Sequence, residues 1–309
     1  MKKINILILI LTFLFSTKSF SKENVFIVTS VNNQIITNID VKNEISYLQI
    51  LNPNLENLEL EKLNQIAKNS LINEIIKKNE LSKRYKFEKK INIIDQIFED
   101  FYKDLSFKNE KQFEKVLLSK TNYPTSKIKE KLKIEFFWNR MILDRFNKQV
   151  KIDEKQLIEK INNDKNEFKN EYLLSEIFFK KKKEFSLEEY IKIIQQSINE
   201  VGFNNAASIY SISESANFGG KIGWIDSNNL SKIILNELTN LKIGQVSKVI
   251  QIGNNFLILK IEDKKQTKIK INKDLKLKSM IDFERNKQLN QFSQIYFNKI
   301  KINYIINET

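Results

Sequence analysis

Tyr210-Ser-Ile-Ser-Glu-Ser-Ala-Asn-Phe-Gly-Gly-Lys-Ile-Gly-Trp224 decides the fold of this chain. Three of the six glycines, Gly219, Gly220 and Gly223, fall within it. Glycine serves where the backbone needs a positive φ or where another backbone must come close. A polar loop leads into these glycines, and the apolar pair Ile222 and Trp224 accompanies them. Upstream stands Leu173-Leu-Ser-Glu-Ile-Phe-Phe179, the centre of a buried strand expected over residues 171–180. Between them, Ser186-Leu-Glu-Glu189 carries the side chains of a capping box and starts a helix to residue 201. A second, short helix is expected over 203–209. Downstream, residues 222–225 read as a strand. Leu230, Ile233, Ile234, Leu238 and Leu241 line a helix face. Residues 246–252 and 256–261 read as two strands joined at Gly253-Asn254-Asn255. The order is β-α-α-β-α-β-β.

The chain before this unit is helical. Residues 25–31 and 34–37 alternate around Asn32-Asn33, two residues that tolerate positive φ, so a tight hairpin is expected. Thr37-Asn-Ile-Asp40 supplies a capping side chain and a first-turn acid to a helix that Asn52-Pro53 stops. Helical periodicity then runs over 58–146. Pro124 precedes a long helix with Ile128, Leu132, Phe136, Asn139, Ile142, Leu143 and Phe146 along one expected side. Phe136-Phe137-Trp138 reads first as packing between helices; the alternative is an apolar crevice. Asp153-Glu-Lys-Gln156 starts a connector helix running toward Phe168. After the central unit, residues 264–273 are charged without an apolar face and are expected as a linker. Residues 274–300 form a long helix, which must dock to be stable. Ile302, Tyr304 and Ile306 then alternate as a terminal strand.

Composition excludes much chemistry. There is no cysteine and no histidine. Disulfides, Ser-His-Asp triads, thiol nucleophiles and histidine-based zinc hydrolases are all ruled out. No Gly-Lys phosphate loop is present, so no nucleotide is expected, and no cofactor or metal. The formal charge is +14, and three of those charges are Lys2, Lys3 and Lys18. Lysines mix evenly with glutamates elsewhere. The one tight run, residues 180–183, ends a strand and reads as solvated surface, with no nucleic acid expected. Met1-Lys-Lys, an apolar run over 4–15 and small residues at Ser19 and Ser21 predict a secretory signal peptide over 1–21. A retained N-terminal anchor is the alternative.

The order of elements, with Gly-Gly-Lys-Ile-Gly-Trp and Gly-Gln-Val-Ser, resembles a parvulin-type peptidyl-prolyl isomerase domain. Val31-Asn-Asn-Gln-Ile-Ile-Thr-Asn-Ile-Asp-Val41 and the helices after it resemble the opening of SurA-like periplasmic chaperones. The resemblance implies an α+β chain in four parts. These are a signal peptide (1–21), a helical chaperone domain (22–170), a parvulin-like domain (171–264) and a C-terminal linker, helix and strand (265–309). In that family the last part returns to complete the N-terminal domain.

The resemblance also places a pocket. The family's first histidine falls on Glu176, and its loop cysteine or aspartate on Ser213. The apolar cup falls on Ile222, Leu230 and Ile234, the last usually aromatic. The final histidine falls on Leu257. Both histidines are therefore replaced. Glu176 is expected to pair with a lysine at the surface; if buried instead, its pKa would rise.

The favoured reading is a periplasmic folding factor that binds unfolded outer-membrane or secreted polypeptides, its parvulin domain having weak or no isomerase activity. Transient contact with a membrane surface is a further partner left open. An active prolyl isomerase of exported proteins is the second reading. A membrane-associated scaffold without catalysis is the third.

Overall fold

The computed structural model describes residues 24–85, 91–163, 168–268 and 273–308. The signal-peptide expectation over residues 1–21 lies outside them. The described residues build two sheets, of three and four strands, and pack helices around each.

Strands β1 (Ile27–Val31) and β2 (Gln34–Thr37) form the expected hairpin, with Asn32 at φ +52 in its turn. Helix α1 (Asn38–Leu51) follows at once. Thr37 and Asp40 cap its start reciprocally: Thr37 Oγ1 accepts from the Asp40 N–H, and Asp40 Oδ2 accepts from the Thr37 N–H at 2.8 Å. Helix α2 (Leu60–Ser82) buries Leu63, Ala67, Leu71 and Ile76 in the main core. Helices α3 (Ile93–Asp104) and α4 (Glu110–Lys120) close a second core, where Phe113 meets Phe98 and Phe101 edge to face.

Helix α5 (Thr125–Phe146) touches both cores, and this corrects the expected face. Ile128 enters the second core, whereas Ile134, Trp138, Met141 and Ile142 enter the main one. Asn139 is exposed. A helix wedged between two cores buries a wider band than one stripe, so a single-face reading misassigns residues at its margin. Trp138 is fully buried, and its indole N–H donates to Ser293 Oγ at 2.8 Å. Packing is therefore the role of the most buried member of the aromatic triplet.

Helix α6 (Glu154–Asn163) ends before Phe168, which lies in a strand instead. Its Leu157 and Ile161 pack on Met280 of helix α10 (Lys273–Lys301). Helix α10 also lies along α5, with Phe146 stacked on Phe292 at 5.2 Å. Beyond it, β7 (Ile306–Glu308) pairs with β1 and completes the three-stranded sheet in the order β2-β1-β7. The terminal strand is shorter than expected. Asn303 and Tyr304 donate to the carbonyls of Ile300 and Lys301, so residues before Ile305 turn rather than extend.

The second sheet has the order β4-β3-β6-β5, formed by β3 (Phe168–Phe179), β4 (Lys221–Asp226), β5 (Ile250–Ile252) and β6 (Asn255–Lys268). Helices α7 (Leu187–Val201), α8 (Phe203–Tyr210) and α9 (Lys232–Thr239) connect it in the expected order. The capping box of Ser186 and Glu189 is formed.

The linker expectation over 264–273 is corrected. β6 continues to Lys268, and residues Lys264 to Lys268 pair with β3 from Tyr172 back to Phe168. Two strands in register satisfy each other's backbone groups whatever their side chains. A charged ribbon therefore needs no apolar alternation to stay paired. Residues 269–272 lie outside the described set.

Candidate functional site

The site is set by the glycine loop folding back onto β3. Residues Glu214–Phe218 make one 3-10 turn, closed by Gly219 in the left-handed region. The Gly220 carbonyl accepts from the Glu176 N–H at 2.7 Å. A Cβ on Gly220 would stand 2.3 Å from the Glu176 carbonyl oxygen, so only glycine allows this approach. Ahead of the turn, the Ile212 N–H donates to the Phe178 carbonyl at 2.7 Å, and Ser211 Oγ accepts from the Phe178 N–H at 3.1 Å. The loop is thus laced to β3 at both ends.

That lacing suspends two hydroxyls over one carboxylate. Ser213 Oγ donates to Glu176 Oε1 at 2.7 Å, and Ser215 Oγ donates to the same oxygen at 3.0 Å. Burial pushes the Glu176 carboxyl above its ordinary range, and the two serine hydrogen bonds only partly offset it. The expected lysine partner is corrected: among the described residues the hydrogen-bond partners of Glu176 are Ser213 and Ser215. Glu176 sits in the inner strand of the sheet, where the loop covers it, so no surface lysine supplies its counterpart.

The remaining pocket positions gather on the same face. Glu176 pairs with Leu259 and Phe178 with Leu257 across β3 and β6. Directly opposed residues share a sheet face, so Glu176, Leu257 and Phe178 lie together. Ile222, Leu230 and Ile234 pack against the cluster containing Leu257 and Leu259. The structure therefore brings Glu176 and Ser213 into contact and the four apolar positions into one neighbouring cluster. Phe178 joins that cluster, an aromatic ring that a position-by-position reading does not count.

Ser215 also escapes the sequence reading. It stands two residues from Ser213, and only the 3-10 turn puts both hydroxyls on one acceptor. The contact of this loop with the helical region has no sequence signal at all. Lys77 of α2 binds Glu214 at 3.0 Å and Glu135 of α5 at 2.6 Å. Asn52 Nδ2 donates to Ser208 Oγ at 3.2 Å, and Ser208 Oγ donates to the Ala216 carbonyl at 2.7 Å. A cleft of about 730 Å³ opens between the helices and this loop. Its walls include Leu51, Ile66 and Phe297 on one side and Tyr210, Ile212 and Phe218 on the other.

This geometry bears on chemistry. Rotating an X-Pro bond needs no covalent step; the barrier is amide resonance, about 20 kcal/mol. A catalyst must favour the twisted imide over the planar one. Here each serine directs its one proton at Glu176, so neither hydroxyl is free to donate to a twisted carbonyl. Among the described residues no group of three or more His, Cys, Asp or Glu could hold a metal ion. No described helix is long and apolar enough to cross a membrane.

Residues 173–263, with their parvulin-like order of elements, match the Rotamase family model, described as a PPIC-type PPIASE domain. The chain is also 25% identical to the chaperone SurA of Pseudomonas putida over 146 residues. That match takes in 44% of this chain and 34% of the relative, so the chain spans about a third of the curated protein it matches. Among solved structures, one of the SurA-like chaperones of Campylobacter jejuni is 16% identical, covering 92% of this chain and 98% of that one, at a TM-score of 0.35. The parvulin domain of PpiD from Escherichia coli is 26% identical, covering 31% of this chain and 90% of that one, at a TM-score of 0.27.

Proposed function

We propose that this protein is a periplasmic folding factor of the SurA-like kind. It holds unfolded outer-membrane or secreted polypeptides in the cleft between its helices and its parvulin-like domain, with little or no isomerase activity of its own. The observation that carries this reading is the cleft of about 730 Å³, lined by aromatic and aliphatic side chains from both sides. Mostly apolar concavities with a few polar groups are the usual form of a binding site. Asn73 Oδ1, buried on the cleft wall, makes no hydrogen bond among the described residues.

The similarity to a chaperone named SurA and the PPIC-type match support the folding role. Weak catalysis follows from Glu176 and Leu257 standing where the family carries histidine, and from the engagement of both serines by Glu176. Export is supported by the apolar run and small residues over 1–21. In this reading the chain divides into the signal peptide 1–21, the helical domain 22–170, the parvulin-like domain 171–264 and the C-terminal part 265–309.

The test pairs two assays on the purified protein: isomerisation of a short X-Pro peptide, and suppression of aggregation of an unfolded outer-membrane protein. Suppression without isomerisation is expected. Strong isomerisation would transfer the function to the pocket, and absence of both activities would overturn the reading.

A further inference from the structure

The run Lys180-Lys-Lys-Lys183 stands out in the sequence and has no part in the fold's cores. Two of its members, Lys180 and Lys182, line the cleft, and so does Lys301 at the end of α10. The cleft also contains carboxylates, but each of these is already engaged by a lysine other than the three. Glu44 is held by Lys131 at 2.8 Å. Glu74 is held by Lys127 at 2.8 Å and also by Lys131. Glu135 and Glu214 share Lys77.

Lys180, Lys182 and Lys301 have no carboxylate partner among the described residues. Lys182 lies over the Tyr190 ring at 6.0 Å, and Lys301 over Phe297 at 5.9 Å. Lys301 is partly buried, and burial pushes its pKa down, because its ammonium has lost water without gaining an anion. The second member of the run behaves differently: Lys181 folds back to donate to the Phe185 carbonyl at 3.0 Å.

We infer that the cleft selects extended polypeptide segments carrying clustered carboxylates, which Lys180 and Lys182 meet on the parvulin side and Lys301 meets on the helical side. This rests on the polypeptide-binding reading given above and names the chemistry of its client. The aromatic walls supply contact area, while the three ammonium groups without a carboxylate supply sign. An acidic segment satisfies all three. A basic segment meets three cations, and carboxylates that other lysines already engage, so it is disfavoured. Exposed pairs are individually weak, and three together change affinity about tenfold.

The experiment measures binding of three synthetic peptides to the full protein by fluorescence anisotropy. They share length and apolar residues and differ only in carrying glutamate, glutamine or lysine at the same positions. The glutamate peptide is expected to bind tightest and the lysine peptide weakest, with the difference shrinking as salt rises. In the K180Q/K182Q/K301Q variant the glutamate peptide should weaken about tenfold toward the glutamine peptide. Because Lys301 is partly buried, K180Q/K182Q is measured beside it, and an intermediate loss is expected.

Equal binding of all three peptides overturns the inference and leaves polypeptide binding standing. So does an unchanged ranking in the variants. Binding of none overturns the client-binding reading itself. Preference for a single-stranded oligonucleotide or a phosphatidylglycerol vesicle over the glutamate peptide would assign the lysines to another anion and also overturn the inference.

Discussion

Lys77 and Glu214, 137 residues apart, meet at 3.0 Å and tie the long helix α2 to the loop that carries Ser213 and Ser215. Burial alone would push the Lys77 pKa down, but Glu135 and Glu214 together raise it above the ordinary lysine range. The loop that covers Glu176 is thereby fastened from outside its own domain.

Lys77→Met should loosen that loop. The lysine is buried, while Glu214 faces solvent and Glu135 is partly exposed, so the loss falls between the surface and buried limits, about 2 kcal/mol. The more telling readout is local. Hydrogen exchange of the amides over residues 211–220 should accelerate more than exchange in β6. Uniform acceleration would reduce the contact to general stability, and unchanged exchange would deny the tether.

The pair formed by Lys131 and Glu44 makes a stronger claim. Glu44 has no exposure and also accepts from Ser70 Oγ at 2.6 Å and Tyr123 Oη at 3.0 Å. Lys131→Met leaves that carboxylate buried without a cation, a change that costs about 3–5 kcal/mol. Glu44→Gln in the same chain should recover much of the loss, since an amide needs no counter-charge. Denaturant unfolding of the single and double variants checks it. A double variant no more stable than Lys131→Met would show that packing, and not charge, set the cost.

What the sequence revealed follows the range of the interactions. Capping pairs such as Thr37 with Asp40 and Ser186 with Glu189 span three residues, so they are readable directly. The return of the last strand onto β1 comes through resemblance, because nothing in Ile306–Glu308 itself names its partner. The charged ribbon of β6 escapes notice because its pairing is made by backbone, which leaves no mark in side-chain periodicity. At the site, Glu176 and Ser213 are placed by resemblance. Their hydrogen bond, the second serine and the Lys77 tether depend on a turn and on contacts between distant segments.

Glu176 carries a pH signature. Its folded pKa lies above its unfolded value of 4.5 because burial disfavours the charge. The folded state then binds the proton more tightly than the unfolded chain. This stability is complete below the unfolded pKa and disappears as pH rises through the folded one. Glu176→Gln, which cannot ionise, should therefore raise the melting temperature at neutral pH, with its advantage vanishing in acid. Thermal melts across the acidic range decide the matter. An advantage that grows in acid would mean that the two serines hold the carboxylate ionised.

Gly220 and Gly223 separate close approach from conformational freedom. Gly223, at φ +84, has open space within 4 Å of where a Cβ would stand, whereas Gly220, at φ +79, would press its Cβ to 2.3 Å from the Glu176 carbonyl and 2.8 Å from Ala207 Cβ. Alanine at either position meets backbone strain of about 1–3 kcal/mol. At Gly223 that strain is the whole effect. At Gly220 the carbonyl of β3 cannot retreat without breaking the 2.7 Å bond between the Glu176 N–H and the Gly220 carbonyl, so the loop must lift. Gly220→Ala should thus destabilise the chain more than Gly223→Ala and expose the 211–220 amides to rapid exchange, while Gly223→Ala leaves them protected. Equal losses with equal exchange would mean that both positions need only a positive φ, and that the contact between the glycine loop and β3 does not hold the serines over Glu176.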